Sequence, residues 1–282
     1  MESQPTGTSC PACGAPIDVT KSVSNSGWVK QPPIADMAKI QFAHSSAQIA
    51  GSYVPVTEVN LAKDEWVYFA HHVLLHVDPG VKLANMPGGF SRMFAGLPIS
   101  MCTAAGPGRI AFSFDHPGET IAVPLQAGQT IEVTEHRLLA ATGSVTYTYN
   151  NTGVFIRTEK QTSDGVEYET AYPFGQMIDH FTAKDGPGLL FLHAPGNVFV
   201  RDLAEGEAIL IQPGALVYAD PTVSPYMHLE WTAGGPMGLW PHLTVWARLT
   251  GPGRIAMSSV FESEAINGNI VQTSGHTQQV WS

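Results

Sequence analysis

Three stretches of the chain carry one pattern of apolar and polar positions. Val59 to Val81 (VNLAKDEWVYFAHHVLLHVDPGV), Val123 to Val145 (VPLQAGQTIEVTEHRLLAATGSV) and Arg201 to Val223 (RDLAEGEAILIQPGALVYADPTV) align without a gap. Leu61, Leu125 and Leu203 share one place; Val67, Ile131 and Ile209 share another, as do Phe69, Val133 and Ile211. Leu74, Leu138 and Leu216 come next, and Val81, Val145 and Val223 close each copy. What recurs is apolar spacing and not a set of reactive groups, so the repeated object is a piece of fold.

Inside the third copy Ile209 and Ile211 alternate with Leu210 and Gln212, the period of a half-buried strand. Turn signals precede this strand in each copy: Lys63-Asp64, Ala127-Gly128 and Glu205-Gly206. After it Pro213-Gly214 breaks the run, Leu216-Val217 starts a second short strand, and Asp220-Pro221 ends that one. The pattern predicts an all-β fold. It divides the chain into an N-terminal arm over residues 1–37, a three-repeat domain over 38–265 with repeat cores at 59–81, 123–145 and 201–223, and a polar tail over 266–282.

Composition agrees with many short strands joined by turns, since the 282 residues include Gly 28 and Pro 21 and are 44% apolar. Charged residues make up only 13%, which points to surface covered in a homo-oligomer, with a trimer one form for it to take. A net charge of −10 and fourteen Lys and Arg with no basic run oppose nucleic acid and anionic membranes as partners. No apolar run approaches the roughly 20 residues of a membrane span. The N-terminus lacks the apolar core of a secretory signal, so the expected compartment is the cytoplasm, which suits three cysteines without a disulfide framework.

Candidate chemistry is sparse. Cys10-Pro11-Ala12-Cys13-Gly14 resembles one knuckle of a zinc ribbon, but a closed zinc site needs four ligands and the chain has no second CxxC; Cys10 and Cys13 stand as an incomplete zinc pair. His71, His72 and His76 are either metal ligands or decoration on adjacent strand ends, with His71 and His72 on opposite sides if the segment stays extended. Gly106-Pro107-Gly108-Arg109-Ile110-Ala111 recurs as Gly251-Pro252-Gly253-Arg254-Ile255-Ala256, with a relative at Gly186-Pro187-Gly188-Leu189-Leu190. The spacing meets that of a dinucleotide fingerprint, yet Ile110, Phe112 and Phe114 alternate as a strand where a helix would have to start. Gly-Pro-Gly is therefore expected to close hairpins. Arg109 and Arg254 emerge after equivalent turns, either as salt-bridged strand ends or as partners for carboxylates at a subunit interface. The segments 145–149 and 154–157 are expected to pair over an Asn150-Asn151-Thr152-Gly153 turn, and 158–184 has room for a short helix.

The three copies, the doubled GPGRIA and the run LFLHAPGNVFVRDLAEGEAILIQPGALVYADPTV together resemble the altered-inheritance-of-mitochondria, mitochondrial-biogenesis type family over about residues 38 to 262. The chain differs from it at Gly96-Leu97-Pro98, where a Gly-Glu pair is expected, and in its cysteine-containing arm. The resemblance implies the fold of the tryptophan RNA-binding attenuator: a pseudo-threefold arrangement of β-sandwich or barrel-like units, frequently oligomeric, with no catalytic site to carry over. A cupin-like metal or small-ligand protein is the main alternative. Its site would place a histidine three residues after the Pro-Gly glycine, where Val217 stands, with Leu139 and Leu75 at the equivalent places. RNA binding by analogy of fold is a further alternative, opposed by the acidic charge. The expectation is a non-catalytic β-scaffold acting in assembly or protein interaction, with no cofactor.

Overall fold

Alternating apolar positions set the architecture, and every extended element in the computed structural model is a strand. The structure describes residues 28–30, 39–86, 101–163, 165–232, 242–261, 266, 269–275 and 277–281. β1 (Val29–Lys30), β2 (Lys39–Phe42) and β3 (Ser45–Ala50) lead into the first copy. That copy folds as β4 (Val56–Leu61), β5 (Trp66–Ala70), a 3₁₀ turn at His71–Val73 and β6 (Leu74–Val77). β7 (Lys82–Asn85), β8 (Met101–Ala105) and β9 (Gly108–Ser113) come after it. The second copy is β10 (Glu119–Leu125), β11 (Thr130–Thr134) and β12 (Leu138–Thr142), succeeded by β13 (Val145–Asn151), β14 (Ile156–Thr162), β15 (Gly165–Ala171), β16 (Met177–Ala183) and β17 (Gly188–Ala194). The third is β18 (Val198–Leu203), β19 (Ala208–Ile211), a 3₁₀ turn at Pro213–Ala215 and β20 (Leu216–Ala219). β21 (Ser224–Thr232), β22 (His242–Thr250), β23 (Gly253–Ser258), β24 (Asn269–Thr273) and β25 (Thr277–Trp281) complete the chain as described.

The three copies pair their strands alike. β9 lies between β4 and β6, β17 between β10 and β12, and β23 between β18 and β20, all antiparallel. Leu61 faces Gly108, Leu125 faces Gly188 and Leu203 faces Gly253. Each last strand also breaks register at the same place, between Leu74 and His76, Leu138 and Ala140, and Leu216 and Tyr218. Such a bulge bends the strand and re-aims the residues beyond it. The middle strand of each copy pairs with the strand before the glycine turn: β5 with β8, β11 with β16, β19 with β22.

Successive units then share sheets. β12 continues onto β5, which gives the six-stranded sheet β10-β17-β12-β5-β8-β7. β20 continues onto β11, which gives the seven-stranded sheet β1-β18-β23-β20-β11-β16-β13. The first copy's outer strands end in β2-β3-β4-β9-β6, and the third copy's middle strand ends in β19-β22-β21-β25.

The glycine turns do not close hairpins, contrary to the expectation from their local chemistry. β8 and β9, β16 and β17, and β22 and β23 fall in different sheets, so each turn carries the chain across a sandwich. The reason lies in what the turn rests on. Gly106 N donates to Glu65 O at 2.9 Å, and Gly251 N to Glu207 O at 2.9 Å, so one crossing stacks on the crossing made by β4–β5 or β18–β19. A side chain on Gly106 would overlap the Ala62 carbonyl, and one on Gly251 would meet Ala204 O. Two further expectations fail for the same non-local reason. β13 pairs with β16, and β14 with β15 and β24, so residues 145–157 form no hairpin, and the described residues of 158–184 are strands joined by turns with no helix among them. The segment expected as a tail supplies β24, against β14, and β25, parallel to β21.

The repeated apolar places are the core. Leu61, Leu125 and Leu203, Val67 and Ile131, and Phe69, Val133 and Ile211 are all buried. One cluster spans the first two copies and reaches Val217, Tyr218 and Ala256; a second gathers the third copy with β21 and β22 around Met227, Leu229, Ala247 and Leu249. Trp28, within the expected arm, packs on this second cluster.

Candidate functional site

The sequence singled out two arginines, two cysteines and three histidines. Cys10 and Cys13 lie outside the described residues. Cys102 is half-buried on β8, and burial pushes its thiol pKa up. His71 and His72 occupy the 3₁₀ turn after β5 and not an extended strand; His72 meets the Phe114 ring edge-on at 5.7 Å. His76, on β6, places Nε2 3.9 Å from Glu58 Oε2. Among the described residues no group of three or more His, Cys, Asp or Glu is arranged to hold a metal ion.

Arg109 and Arg254 are tied within the chain. Asp78 Oδ2 accepts from the Arg109 amide at 3.0 Å and from its Nε at 3.2 Å. Asp220 Oδ2 accepts from the Arg254 amide at 2.7 Å, while the Arg254 guanidinium donates to both Asp202 oxygens at 2.8 and 3.0 Å. These bonds hold Asp78 and Asp202 below the usual carboxylate range, Asp78 chiefly through the backbone amide and Asp202 through the guanidinium. At the equivalent place in the second copy Thr142 Oγ1 accepts from Leu189 N at 3.0 Å. Asp78, Thr142 and Asp220 therefore do the same work, fixing the strand that leaves each glycine turn.

Sequence reasoning missed a cavity of about 840 Å³ lined by the second copy's β11–β12 connection, by Gly214 of the third copy and by residues that flank the copies. Its wall includes Tyr53, Phe114, His116, His136, Arg137 and His193. His136 and Arg137 come from the β11–β12 connection, the counterpart of the His71–Val73 and Pro213–Ala215 turns, and Gly214 of the latter also lines the cavity. His193, 2% exposed at the end of β17, stacks on Phe114 with ring centroids 4.3 Å apart, and its Nε2 is buried without a hydrogen-bond partner. Burial first, then the charge of Arg137 and the nearby His116, bring its pKa down to about 4. The imidazole is neutral at pH 7. A mostly apolar wall with a few polar groups converging on it is the form of a small-ligand pocket. The one signal in the sequence was that His136 falls where the first copy has His72 and the third has Gly214.

Two strand edges form the other surface of interest. β6 ends one sheet and β19 another, and among the described residues neither has a second neighbour. Leu75 on β6 is 54% exposed and Leu210 on β19 is 41% exposed.

With this geometry in place, the family model described as mitochondrial biogenesis AIM24 matches residues 47–260, a span that holds all three copies. No curated protein resembles the chain closely enough to match. Among solved structures, the crystal structure of protein SPYM3_0169 from Streptococcus pyogenes is similar with a TM-score of 0.54 at 18% identity, covering 77% of this chain and 94% of that one. At that identity the likeness concerns the fold alone.

Proposed function

Because the chain belongs to the mitochondrial biogenesis AIM24 family, we propose, as our own reading of its role, that it is a non-catalytic β-scaffold acting by assembly with its own copies and with other proteins. One observation carries this: the units within the chain are joined by continuing one unit's sheet onto the next, at β12–β5 and β20–β11. A fold whose internal joints are sheet continuations has a ready means of joining further copies, because an open strand edge is a template for another strand. The assembly would be a homo-oligomer working in the cytoplasm without nucleic acid. The net charge of −10 supports the last point. Mass in solution tests the reading by sedimentation or light scattering across a dilution series. Assembled protein at micromolar concentration is expected, and a monomer at every concentration would end it.

The cavity favours a second reading, binding of a small ligand. Its test is a thermal-shift screen of small carboxylates, phosphates and heteroaromatics on the wild type and on His136→Ala. The reading requires a compound that stabilises the first and not the second.

A further inference from the structure

The two open edges are complementary, and the chain itself shows how they fit. At the first internal joint Ala140 faces Phe69 and Ala141 faces Tyr68. At the second, Tyr218 faces Val133 and Ala219 faces Glu132. Aligned on the repeat, these are the same two pairs, antiparallel and in the same register: the last strand of one copy against the middle strand of the copy before it. Three copies can make only two such joints in a row. The last strand of the first copy, β6, and the middle strand of the third, β19, are left over.

Exposure obeys the same division. Leu75, Leu139 and Val217 are equivalent in the repeat; Leu139 and Val217, beside completed joints, are 0% exposed, whereas Leu75 is 54% exposed. Leu210 is 41% exposed, whereas its counterparts at the finished joints are less so, Tyr68 at 0% and Glu132 half-buried. The sequence thus keeps an apolar side chain at both open edges where a finished joint would bury it, and places no lysine, proline or bulge-forming glycine within β19 to blunt pairing.

We infer that β6 of one copy pairs antiparallel with β19 of a second copy, in the register of the internal joints, so that His76 lies opposite Ile211 and Val77 opposite Leu210. The contact is head to tail, since the two edges differ, and it closes into a ring or runs on as a filament according to the rotation per step. A one-residue slip would turn Leu210 away from Val77, so the register is part of the inference. It deepens the scaffold reading and rests on it.

The test uses the full chain carrying Cys10→Ser, Cys13→Ser and Cys102→Ser. Val77→Cys and Leu210→Cys are made separately, mixed, and treated with a short bismaleimide. A crosslinked dimer in the mixture, absent from either variant alone, is expected. Separately, Leu75→Lys and Leu210→Lys, both at exposed positions, are each expected to raise the concentration at which the assembly dissociates at least tenfold, with circular dichroism unchanged. If the wild type assembles but the mixture gives no crosslink and both lysine variants stay assembled, the edges are wrong and the scaffold reading survives. If Val77→Cys and Leu210→Cys placed in one chain crosslink only within that chain, the joint closes on itself and the inference is overturned. A wild type that is monomeric throughout removes both.

Discussion

Asp220 grips Arg254 by the backbone as well as facing its charge: Asp220 Oδ2 accepts the Arg254 amide at 2.7 Å and Asp220 N donates to the Arg254 carbonyl at 2.8 Å. Asp78 and Arg109 repeat both bonds, at 3.0 and 2.8 Å. The guanidinium of Arg254 goes elsewhere, to Asp202, whose side chain is 70% exposed. Hydrogen bonds from a backbone amide to a carboxylate are worth more than exposed ion pairs, about 1.5–3 against 0–1 kcal/mol. Asp220→Ala is therefore expected to lower unfolding free energy in urea by about 1–2 kcal/mol, given partial exposure, and Asp78→Ala to lower it in the same direction. Asp202→Ala should cost less than about 1 kcal/mol. Equal losses from Asp202 and Asp220 would show that the ion pair, and not the backbone grip, holds the turn.

The glycine turns make a second, sharper contrast. A Cβ on Gly106 would overlap the Ala62 carbonyl and come within 2.8 Å of Leu61 Cβ, whereas one on Gly186 meets nothing within 4 Å. Overpacking against backbone costs typically about 1–3 kcal/mol. Gly106→Ala should lower the melting temperature by several degrees and Gly186→Ala should leave it within a degree or two. A neutral Gly106→Ala would mean that the stacked crossings can part to admit a methyl group.

Tyr68 predicts a change of the opposite sign. It is fully buried on β5, burial raises its pKa, and its hydroxyl is buried without a hydrogen-bond partner. A buried polar group without a partner carries a desolvation cost of about 1–3 kcal/mol. Tyr68→Phe keeps the ring and removes that cost. Stability equal to or above the wild type is expected in denaturant titration, and a clear loss would reveal a partner for the hydroxyl.

How far the sequence disclosed this molecule depends on the range of the forces involved. Leu61, Leu125 and Leu203 were legible as core because burial imposes a local period, and all three are buried. The crossings were not legible, because Gly-Pro-Gly suits a hairpin and a crossing equally; the choice was made by Ala62 and Glu65, far along the chain from Gly106. The family resemblance pointed to the same all-β architecture. The sharing of sheets was hidden, since Ala141 meets Tyr68 only after both units form. For the same reason nothing in the sequence could join Phe114, His136 and His193, which reach one cavity from three separate parts of the chain. The arginines were recognised, but their partners Asp78 and Asp202 belong to the chain itself.

His193 ties the cavity to acid stability. Its folded pKa is about 4, below the ordinary value of 6.5, because burial beside Arg137 and His116 disfavours the charged form. The unfolded chain takes up this proton near pH 6.5 while the folded chain refuses it until about pH 4. Between those values the unfolded state binds more protons, so stability falls as pH falls. The contribution is whole above pH 6.5 and is lost progressively on the way down. Phe114 lies parallel to the imidazole, and a phenyl ring at position 193 can keep that stack. His193→Phe should therefore flatten the decline of melting temperature between pH 7 and pH 4.5, whatever the variant loses at pH 7 with the imidazole's hydrogen bond to the His116 backbone. The hydrogen bond to His116 holds the neighbouring Asp115 carboxyl below its usual range, so a residual slope below pH 4.5 is expected in the variant. If the wild type and His193→Phe show the same slope between pH 7 and pH 4.5, the imidazole is not held neutral by the fold, and the cavity wall there is open to water.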